Sequence, residues 1–198
     1  MGGFYMGTND YYKENAKSFI LDTMNADMSE QYQNFLKFMP KKGKILDLGC
    51  GSGRDSLYFQ NLGYDCIAVD PIDEFLEHAK SIGVKKVLKG TAEELDFNKE
   101  FDGIWASASL LHVKSKDLND VLKKCAKALK KNGVFYCSFK YGTFEGERTE
   151  RYYVDQTESS ILSYIKDTGL EFALVNMSDD VRENRTDRWL NAILVKTK

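Results

Sequence analysis

The sequence predicts an α/β protein with a doubly wound, mainly parallel sheet and helices on both of its faces. Two observations predict this class. Short apolar runs alternate with amphipathic segments from about residue 44 onward, and strands that alternate with helices are joined by parallel crossovers. The last two apolar runs follow one another without a helical segment between them. Such a pair is expected to be antiparallel.

The first 40 residues predict two amphipathic helices that precede the sheet. Residues at helical spacing mark one face of each helix: Tyr12, Ala16, Phe19, Ile20 and Thr23 in the first, and Met28, Tyr32, Phe35, Leu36 and Met39 in the second. Ser29 with Glu30 is a suitable start for the second helix, and Pro40 is expected to end it.

Strands and helices then alternate along the rest of the chain. Strands are predicted at residues 45–48, 66–69, 86–88, 101–106, 134–139, 172–175 and 190–195. Helices are predicted near residues 54–61, 72–81, 118–129 and 157–167. Asn132 and Gly133 are expected to close the third of these helices. The segment 142–148 contains glycines and charges, which favours a mobile, helix-poor substrate loop.

Composition indicates one soluble domain over residues 1–198. Hydrophobic residues make up 42% and charged residues 29% of the 198 residues, which is typical of a globular chain. The net charge of −2 does not suit a strong non-specific nucleic-acid binder, although a locally basic site stays open. The four cysteines form no zinc pattern, no apolar run is long enough to span a bilayer, and no signal peptide is visible. We therefore expect no metal, no membrane partner and a cytoplasmic location.

A glycine-rich loop follows the first predicted strand. Asp47 precedes Gly49, Cys50, Gly51 and Gly53, and the next helix begins directly after them. Glycines at alternate positions allow a tight turn and leave the backbone open to a ligand. A turn that binds nothing is the alternative. The loop departs from the dinucleotide pattern G-x-G-x-x-G, because the third glycine comes one residue early, and this argues against NAD.

Acidic residues follow the next two predicted strands. Asp70 can accept hydrogen bonds from both hydroxyls of a ribose, or it can cap the helix that begins near Pro71. Ala92 and Glu93 come after the third strand, where the edge of an adenine would reach, although Glu93 can equally cap a helix. The loop and these acids together indicate an adenosine-containing ligand.

Five segments together resemble the class I S-adenosylmethionine-dependent methyltransferases: Ile45–Gly53, Asp70, Phe101–Ala106, Leu110–Val113 and Leu129–Val134. The resemblance covers about residues 41–139. It implies a Rossmann-like, seven-stranded sheet whose last strand is antiparallel, with S-adenosylmethionine as cofactor. It also implies that Gly49, Gly51 and Gly53 line the methionine moiety, that Asp70 holds the ribose, that Ala92 and Glu93 flank adenine, and that Ala106 and Ser107 lie beside the sulfonium. Asp47, Cys50 and Pro71 flank these residues and are further cofactor-binding candidates.

The N-terminal region resembles one subgroup of that family. Tyr12, Asn15, Ala16 and Phe19 look like the first helix of small bacterial methyltransferases of the tellurite-resistance-like and ubiquinone-biosynthesis-like groups. This resemblance implies a helical lid at 1–40, a cofactor-binding core at 41–139 and a substrate side at 140–198. Tyr12 is a candidate cofactor contact, because an aromatic face attracts a sulfonium. It can also simply pack the helix onto the core.

Candidate catalytic residues follow the fourth and fifth predicted strands. His112 is the best candidate for a general base, since imidazole titrates near working pH; it can instead only pack the following loop. Lys140 and Tyr141 lie at the same edge of the sheet. Lys140 can hold an anionic acceptor or be a solvated lysine.

Arginines of the last third of the chain are candidate substrate-binding residues. Arg148, Arg151 with Tyr152, and Arg182 can bind a carboxylate or phosphate, or can form ion pairs with nearby acids. We expect methyl transfer to a small-molecule acceptor, anionic if these arginines bind it. A tRNA nucleoside as acceptor and a non-catalytic S-adenosylmethionine-binding protein are the alternatives. The acceptor atom and the oligomeric state are not predicted.

Overall fold

The computed structural model describes residues 7–182 and 185–197. Its helices are α1 (Thr8–Glu14), α2 (Ala16–Met24), α3 (Ser29–Leu36), α4 (Arg54–Asn61), α5 (Asp73–Ser81), α6 (Ser115–Ala128) and α7 (Glu158–Ile165). Its strands are β1 (Lys44–Leu48), β2 (Asp65–Asp70), β3 (Val87–Lys89), β4 (Phe101–Ala106), β5 (Leu129–Lys140), β6 (Glu145–Arg148), β7 (Arg151–Val154), β8 (Leu170–Asp179) and β9 (Arg188–Lys196). The first six residues of the expected lid lie outside the described residues.

Seven strands form one sheet in the order β3-β2-β1-β4-β5-β9-β8. The strands from β3 to β5 are parallel, whereas β9 runs antiparallel to both β5 and β8. The predicted fold class and the antiparallel final pair are therefore confirmed. The chain leaves β3 at one edge and returns to place β4 beside β1. This reversal opens a crevice at the carboxyl ends of β1 and β4, where open α/β sheets bind ligands.

Aromatic packing beneath the crevice joins the N-terminal helices to the sheet. Trp105 on β4 is fully buried, and its ring stacks on Tyr136 of β5 with the two centroids 3.9 Å apart. Phe35 of α3 and Phe59 of α4 meet the same indole edge-on, at 5.3 and 5.2 Å. Pairs of this geometry stabilise a core beyond the area they bury. They hold α3 and α4 in fixed positions under the crevice.

The N-terminal region contains three helices where the sequence predicts two. Asn15 interrupts the predicted first helix, with φ −104° and ψ 14°, and its side-chain amide donates to the carbonyl of Tyr11 at 2.9 Å. Asparagine competes for backbone groups in this way and favours helix ends. The break separates α1 from α2, and the two then cover different parts of the crevice.

Helix α6 ends earlier than predicted. Its last residue is Ala128, and Asn132 and Gly133 lie within β5, where they were expected to close the helix. Leu129 already pairs with Phe101 of β4, and the register then shifts before Val134. Asn132 has φ +63°, a conformation that asparagine tolerates in a bulge. Burial of Leu129 against β4 therefore overrides the helix-ending signal.

A β-hairpin replaces the loop expected at residues 142–148. Strand β6 pairs with β7, and Arg148 lies opposite Arg151 at the turn. The two residues between the strands, Thr149 and Glu150, have φ of +48° and +63°, which matches the two-residue turn with positive φ at both positions that suits the strand twist. The usual Asn-Gly signal is missing, which is why the sequence did not predict the turn.

Candidate active site

A cavity of about 360 Å³ lies at the carboxyl ends of the central strands. Helices α1 and α2 and the β6–β7 hairpin border it. Thirteen of the predicted site residues line it: Tyr12, Gly49, Cys50, Gly51, Asp70, Pro71, Ala92, Glu93, Ser107, His112, Lys140, Arg151 and Arg182. Six others are not part of its lining: Asp47, Gly53, Ala106, Tyr141, Arg148 and Tyr152.

Each of the three positions in the loop requires glycine for its own structural reason. All three have positive φ, between 49° and 79°. A Cβ on Gly49 would lie 2.3 Å from Cβ of Ser109, and one on Gly53 would lie 2.7 Å from Cβ of Ala79. These two glycines therefore allow close packing of the loop against its neighbours. Gly51 faces Phe19 of α2, whose ring would be 3.1 Å from an added Cβ, so it brings bare backbone to the cavity.

Asp70 ends β2 with its carboxylate in the cavity wall. The backbone N–H of Gly51 donates to Oδ2 at 2.9 Å, and that of Ile72 donates to Oδ1 at 3.0 Å. Burial raises the pKa of Asp70 to about 6, although the two backbone hydrogen bonds lower it. Each oxygen keeps acceptor capacity, since an ionised carboxylate has about four lone-pair sites. Asp70 is therefore able to accept hydrogen bonds from a diol.

Asp47 lies beneath the loop and not in the cavity. It is 1% exposed, and the Ser56 hydroxyl donates to its Oδ2 at 2.6 Å. Burial, together with the negative charge of Asp55, raises the pKa of Asp47 above its ordinary value. Its contact with Ser56 ties the end of β1 to α4, so Asp47 holds the loop in place and does not face the cavity.

Asp55 organises a buried polar cluster that the sequence reasoning missed. Its Oδ2 accepts from Trp105 Nε1 at 2.8 Å, and its Oδ1 accepts from Arg54 Nε at 2.6 Å and from the Tyr32 hydroxyl. Burial alone would raise the pKa of Asp55, but Arg54 and these hydrogen bonds hold it below its usual value. Arg54 also donates to the carbonyl of Thr23 at 2.7 Å. The cluster thus joins the glycine loop to β4 and to α2.

His112 is bound on both ring nitrogens. Nδ1 lies 2.6 Å from the carbonyl oxygen of Tyr152 and Nε2 lies 2.8 Å from the Tyr12 hydroxyl. Because a carbonyl only accepts, Nδ1 carries the hydrogen and Nε2 accepts from Tyr12. Burial lowers the pKa of His112 to about 4, with further lowering by Arg151 and Lys140. The ring is therefore neutral at pH 7 and joins α1 to the β7 strand.

The predicted cations differ in their surroundings. Lys140 Nζ pairs with Asp187 Oδ2 at 2.7 Å, and Arg182 Nη2 pairs with Asp180 Oδ2 at 2.6 Å. Arg148 lies outside the cavity, where its guanidinium pairs with Asp155 at 2.5 Å and lies over the Phe144 ring.

Of the three predicted tyrosines, Tyr141 and Tyr152 contribute little side-chain chemistry to the cavity. Tyr141 is 43% exposed and outside it. Tyr152 turns its hydroxyl to Glu145 at 2.8 Å, and supplies its backbone instead. Its carbonyl accepts from His112, and its N–H donates to Thr8 Oγ1 at 3.0 Å. The backbone of Tyr152 therefore connects the hairpin to α1 and to the histidine.

Comparison with known families identifies the domain. Residues 46–137 match the family model described as a methyltransferase domain, and this segment spans the glycine loop, Asp70 and His112. Residues 46–137 form a methyltransferase domain. S-adenosylmethionine is the cofactor of this domain, and the predicted resemblance is confirmed.

Curated relatives support the same family. A ubiquinone biosynthesis O-methyltransferase of Bradyrhizobium diazoefficiens is 35% identical over 100 residues, which cover 48% of this chain and 39% of that protein. A second one, from Azorhizobium caulinodans, is 35% identical over 106 residues, covering 50% and 41%. The chain thus matches about two fifths of the length of these relatives. Their activity is not transferred to it on this ground alone.

Solved structures show the methyltransferase fold over nearly all of the chain. The 1,6-didemethyltoxoflavin-N1-methyltransferase of Burkholderia thailandensis has a TM-score of 0.74 at 20% identity and covers 100% of this chain and 94% of its own. A methyltransferase of Methanosarcina mazei has a TM-score of 0.73 at 19% identity, with coverages of 86% and 98%.

The cavity of the methyltransferase domain suits S-adenosylmethionine on two observations. Asp70 presents a carboxylate beside the bare backbone at Gly51. Ser109 Oγ is buried in the cavity lining without a hydrogen-bond partner among the described residues, and a buried hydroxyl in this state indicates a polar ligand group. The sequence reasoning missed Ser109, because only the approach of its Cβ to Gly49 places it at the loop.

Membrane-spanning helices and metal-binding clusters are both absent from the part of the chain that the structure describes. Within residues 7–182 and 185–197, no helix is long and apolar enough to cross a membrane. The same ranges contain no group of three or more histidine, cysteine, aspartate or glutamate side chains that could hold a metal ion.

Proposed function

We propose that the chain transfers the methyl group of S-adenosylmethionine to a small-molecule acceptor. One observation carries this proposal: the same cavity has the glycine loop and Asp70 on one side and His112, Lys140 and Arg151 on the other. The first set comes from β1 and β2, and the second from the segments around β4, β5 and β7. The two sets therefore face a shared space in which a cofactor and an acceptor can meet.

The β1–β2 side is the proposed cofactor subsite. Asp70 would accept hydrogen bonds from the ribose hydroxyls, and the turn at Ala92 and Glu93 would flank adenine. Gly49 and Gly51 would leave room for the methionine moiety, and Ser107 would lie near the sulfur. Gly53 and Asp47 support this subsite from behind the loop, since neither lines the cavity.

The opposite side is the proposed acceptor subsite. When bound, S-adenosylmethionine supplies an electrophilic methyl group, and methyl transfer depends mainly on in-line alignment of the acceptor atom. The chain's residues orient the acceptor and exclude water. For an acceptor that arrives protonated, His112 would be the general base. Tyr12 would take the acceptor's proton while its own proton passes to His112 Nε2, because this nitrogen carries the lone pair.

Closure of the site favours a small acceptor over RNA. Tyr12 is hydrogen-bonded to His112, and Thr8 to Tyr152, so α1 and the hairpin meet over the cavity. Lys140 and Arg182 are paired with aspartates, which reduces their attraction for a polyanion. The structure of the Burkholderia thailandensis neighbour contains bound 1,6-didemethyltoxoflavin and S-adenosylhomocysteine. A single domain with a lid at 1–40, and a cytoplasmic location, stay predictions.

Transfer of a labelled methyl group tests this function. The protein is incubated with methyl-labelled S-adenosylmethionine and either a panel of small acceptors (catechol, nicotinamide, and the acids 3,4-dihydroxybenzoate and anthranilate) or total tRNA. We expect label in a low-mass product and none in the RNA precipitate. Label confined to RNA would contradict the proposal. So would the absence of transfer to every acceptor by protein that binds S-adenosylhomocysteine.

A further inference from the structure

The guanidinium of Arg151 is half-buried in the cavity wall and surrounded by tyrosine rings. Its central carbon lies 4.4 Å from the ring centroid of Tyr11, 5.6 Å from that of Tyr12 and 5.3 Å from that of Tyr153. Aromatic faces stabilise a cation in a desolvated site without neutralising its charge. The full positive charge of Arg151 therefore remains directed at the cavity.

No carboxylate pairs with Arg151 among residues 7–182 and 185–197. Its Nη2 donates to Thr149 Oγ1 at 3.0 Å and Nη1 lies 3.5 Å from the Tyr12 hydroxyl, while Nε is buried without a hydrogen-bond partner within these two ranges. Three other cations of the cavity lining each pair with an aspartate at 2.7 Å or less: Arg54 with Asp55, Lys140 with Asp187, and Arg182 with Asp180. Arg151 thus differs from them in keeping hydrogen-bonding capacity for a ligand.

The unpaired group suits a planar anion. A guanidinium presents its N–H donors in a rigid fork that matches the two oxygens of a carboxylate. A buried N–H without a partner carries a desolvation cost that such a ligand would remove. A neutral ligand with hydroxyl or amide oxygens would accept a hydrogen bond from Nε of Arg151, but it would leave the positive charge of the guanidinium unpaired.

The position of Arg151 favours the acceptor as the source of this anion. Arg151 is the first residue of β7 and lies beside Tyr12 and His112, whose pKa its charge helps to lower. Asp70 and the glycine loop, by contrast, belong to the β1–β2 side of the sheet. The carboxylate of the cofactor's methionine moiety is the other source of the same chemistry, and the test below distinguishes the two.

We propose that Arg151 binds a carboxylate of the methyl acceptor, so that the substrate class is small organic acids. This inference rests on the proposed function and specifies its acceptor. The Tyr11, Tyr12 and Tyr153 rings hold the guanidinium in place, and the acid anchors there with the rest of the molecule directed toward the cofactor subsite.

Calorimetric titration of the protein saturated with S-adenosylhomocysteine tests the proposal. The probes are benzoate and butyrate, compared with their neutral counterparts benzamide and butyramide. We expect wild type to bind at least one acid at least tenfold more tightly than its amide. Arg151→Gln should remove this preference, and Arg151→Lys should keep part of it. Arg148→Gln is the matched control, because Arg148 lies opposite Arg151 in the same hairpin but outside the cavity.

Two results would overturn the proposal. One concerns the acids: either wild type binds neither acid more tightly than its amide, or the Arg151→Gln variant keeps the wild-type preference. The other is a loss of tenfold or more in S-adenosylhomocysteine affinity in Arg151→Gln with unchanged binding of methylthioadenosine, which lacks the amino-acid carboxylate. That pattern would assign the arginine to the cofactor. Because the titration measures binding without turnover, its result stands even if the protein transfers no methyl group to the acceptors tested.

Discussion

Replacing Asp70 with asparagine should weaken cofactor binding with little change in shape. In the structure each carboxylate oxygen already accepts one backbone N–H, from Gly51 or Ile72. The carboxamide must turn its NH₂ toward one of these donors, so it disturbs the loop and loses one acceptor for the ribose. A hydrogen bond to a charged group contributes ~1.5–3 kcal/mol, and its loss should raise the Kd for S-adenosylhomocysteine by about 10- to 150-fold.

The assay is isothermal titration calorimetry at pH 7.5 with Asp73→Asn as control. Asp73 is the first residue of α5, is 63% exposed and pairs with Lys89 on the surface, so its variant should bind like wild type. A second arm lowers the pH. Burial places the pKa of Asp70 at about 6, so at pH 5 only about a tenth of it is ionised, and affinity should fall about tenfold from pH 7.5. A folded Asp70→Asn protein with affinity within twofold of wild type would refute the reasoning.

Three further predictions concern stability and protonation. In urea unfolding, Gly49→Ala should lower the free energy of unfolding by at least ~1 kcal/mol more than Gly63→Ala. Both glycines have positive φ, but only at Gly49 does an added Cβ collide with a neighbour; equal losses would contradict this. Asp55→Ala should lower the free energy of unfolding by ~3–5 kcal/mol, whereas Asp65→Ala, which breaks an exposed pair, should lower it by under ~1 kcal/mol; similar losses would contradict this prediction. His112 should titrate with a pKa of about 4 when followed by NMR. Because the unfolded chain takes up this proton near pH 6.5, the folded state should lose stability as the pH falls from 6.5 to 4; a pKa near 6.5 in the folded protein would disprove its burial.

Local signals sufficed for the elements around the loop. The predicted helix at 54–61 coincides with α4, and the strands on both sides of it agree within one residue. The glycines, the apolar runs and the helical spacing all lie within a few residues of one another in this part of the chain. Asn15 and Thr149–Glu150 were not recognised as a helix break and a hairpin turn, because their conformations depend on what α1 and β7 pack against.

The contacts of the site needed the three-dimensional structure. Asp55 meets Trp105 across 50 residues and His112 meets Tyr12 across 100, and no local pattern relates such distant positions. From the sequence, Lys140 and Arg151 are equivalent candidates for binding an anion. Only the fold shows that one is paired with an aspartate and the other is enclosed by tyrosines.

The most direct test of the account is a crystal structure of the chain with S-adenosylhomocysteine. We expect the ribose hydroxyls within about 3.2 Å of the Asp70 carboxylate. The sulfur should face the side of the cavity that carries His112 and Arg151. A complex in which Asp70 keeps only its two backbone donors, with the ligand bound elsewhere, would contradict the assignment of the site.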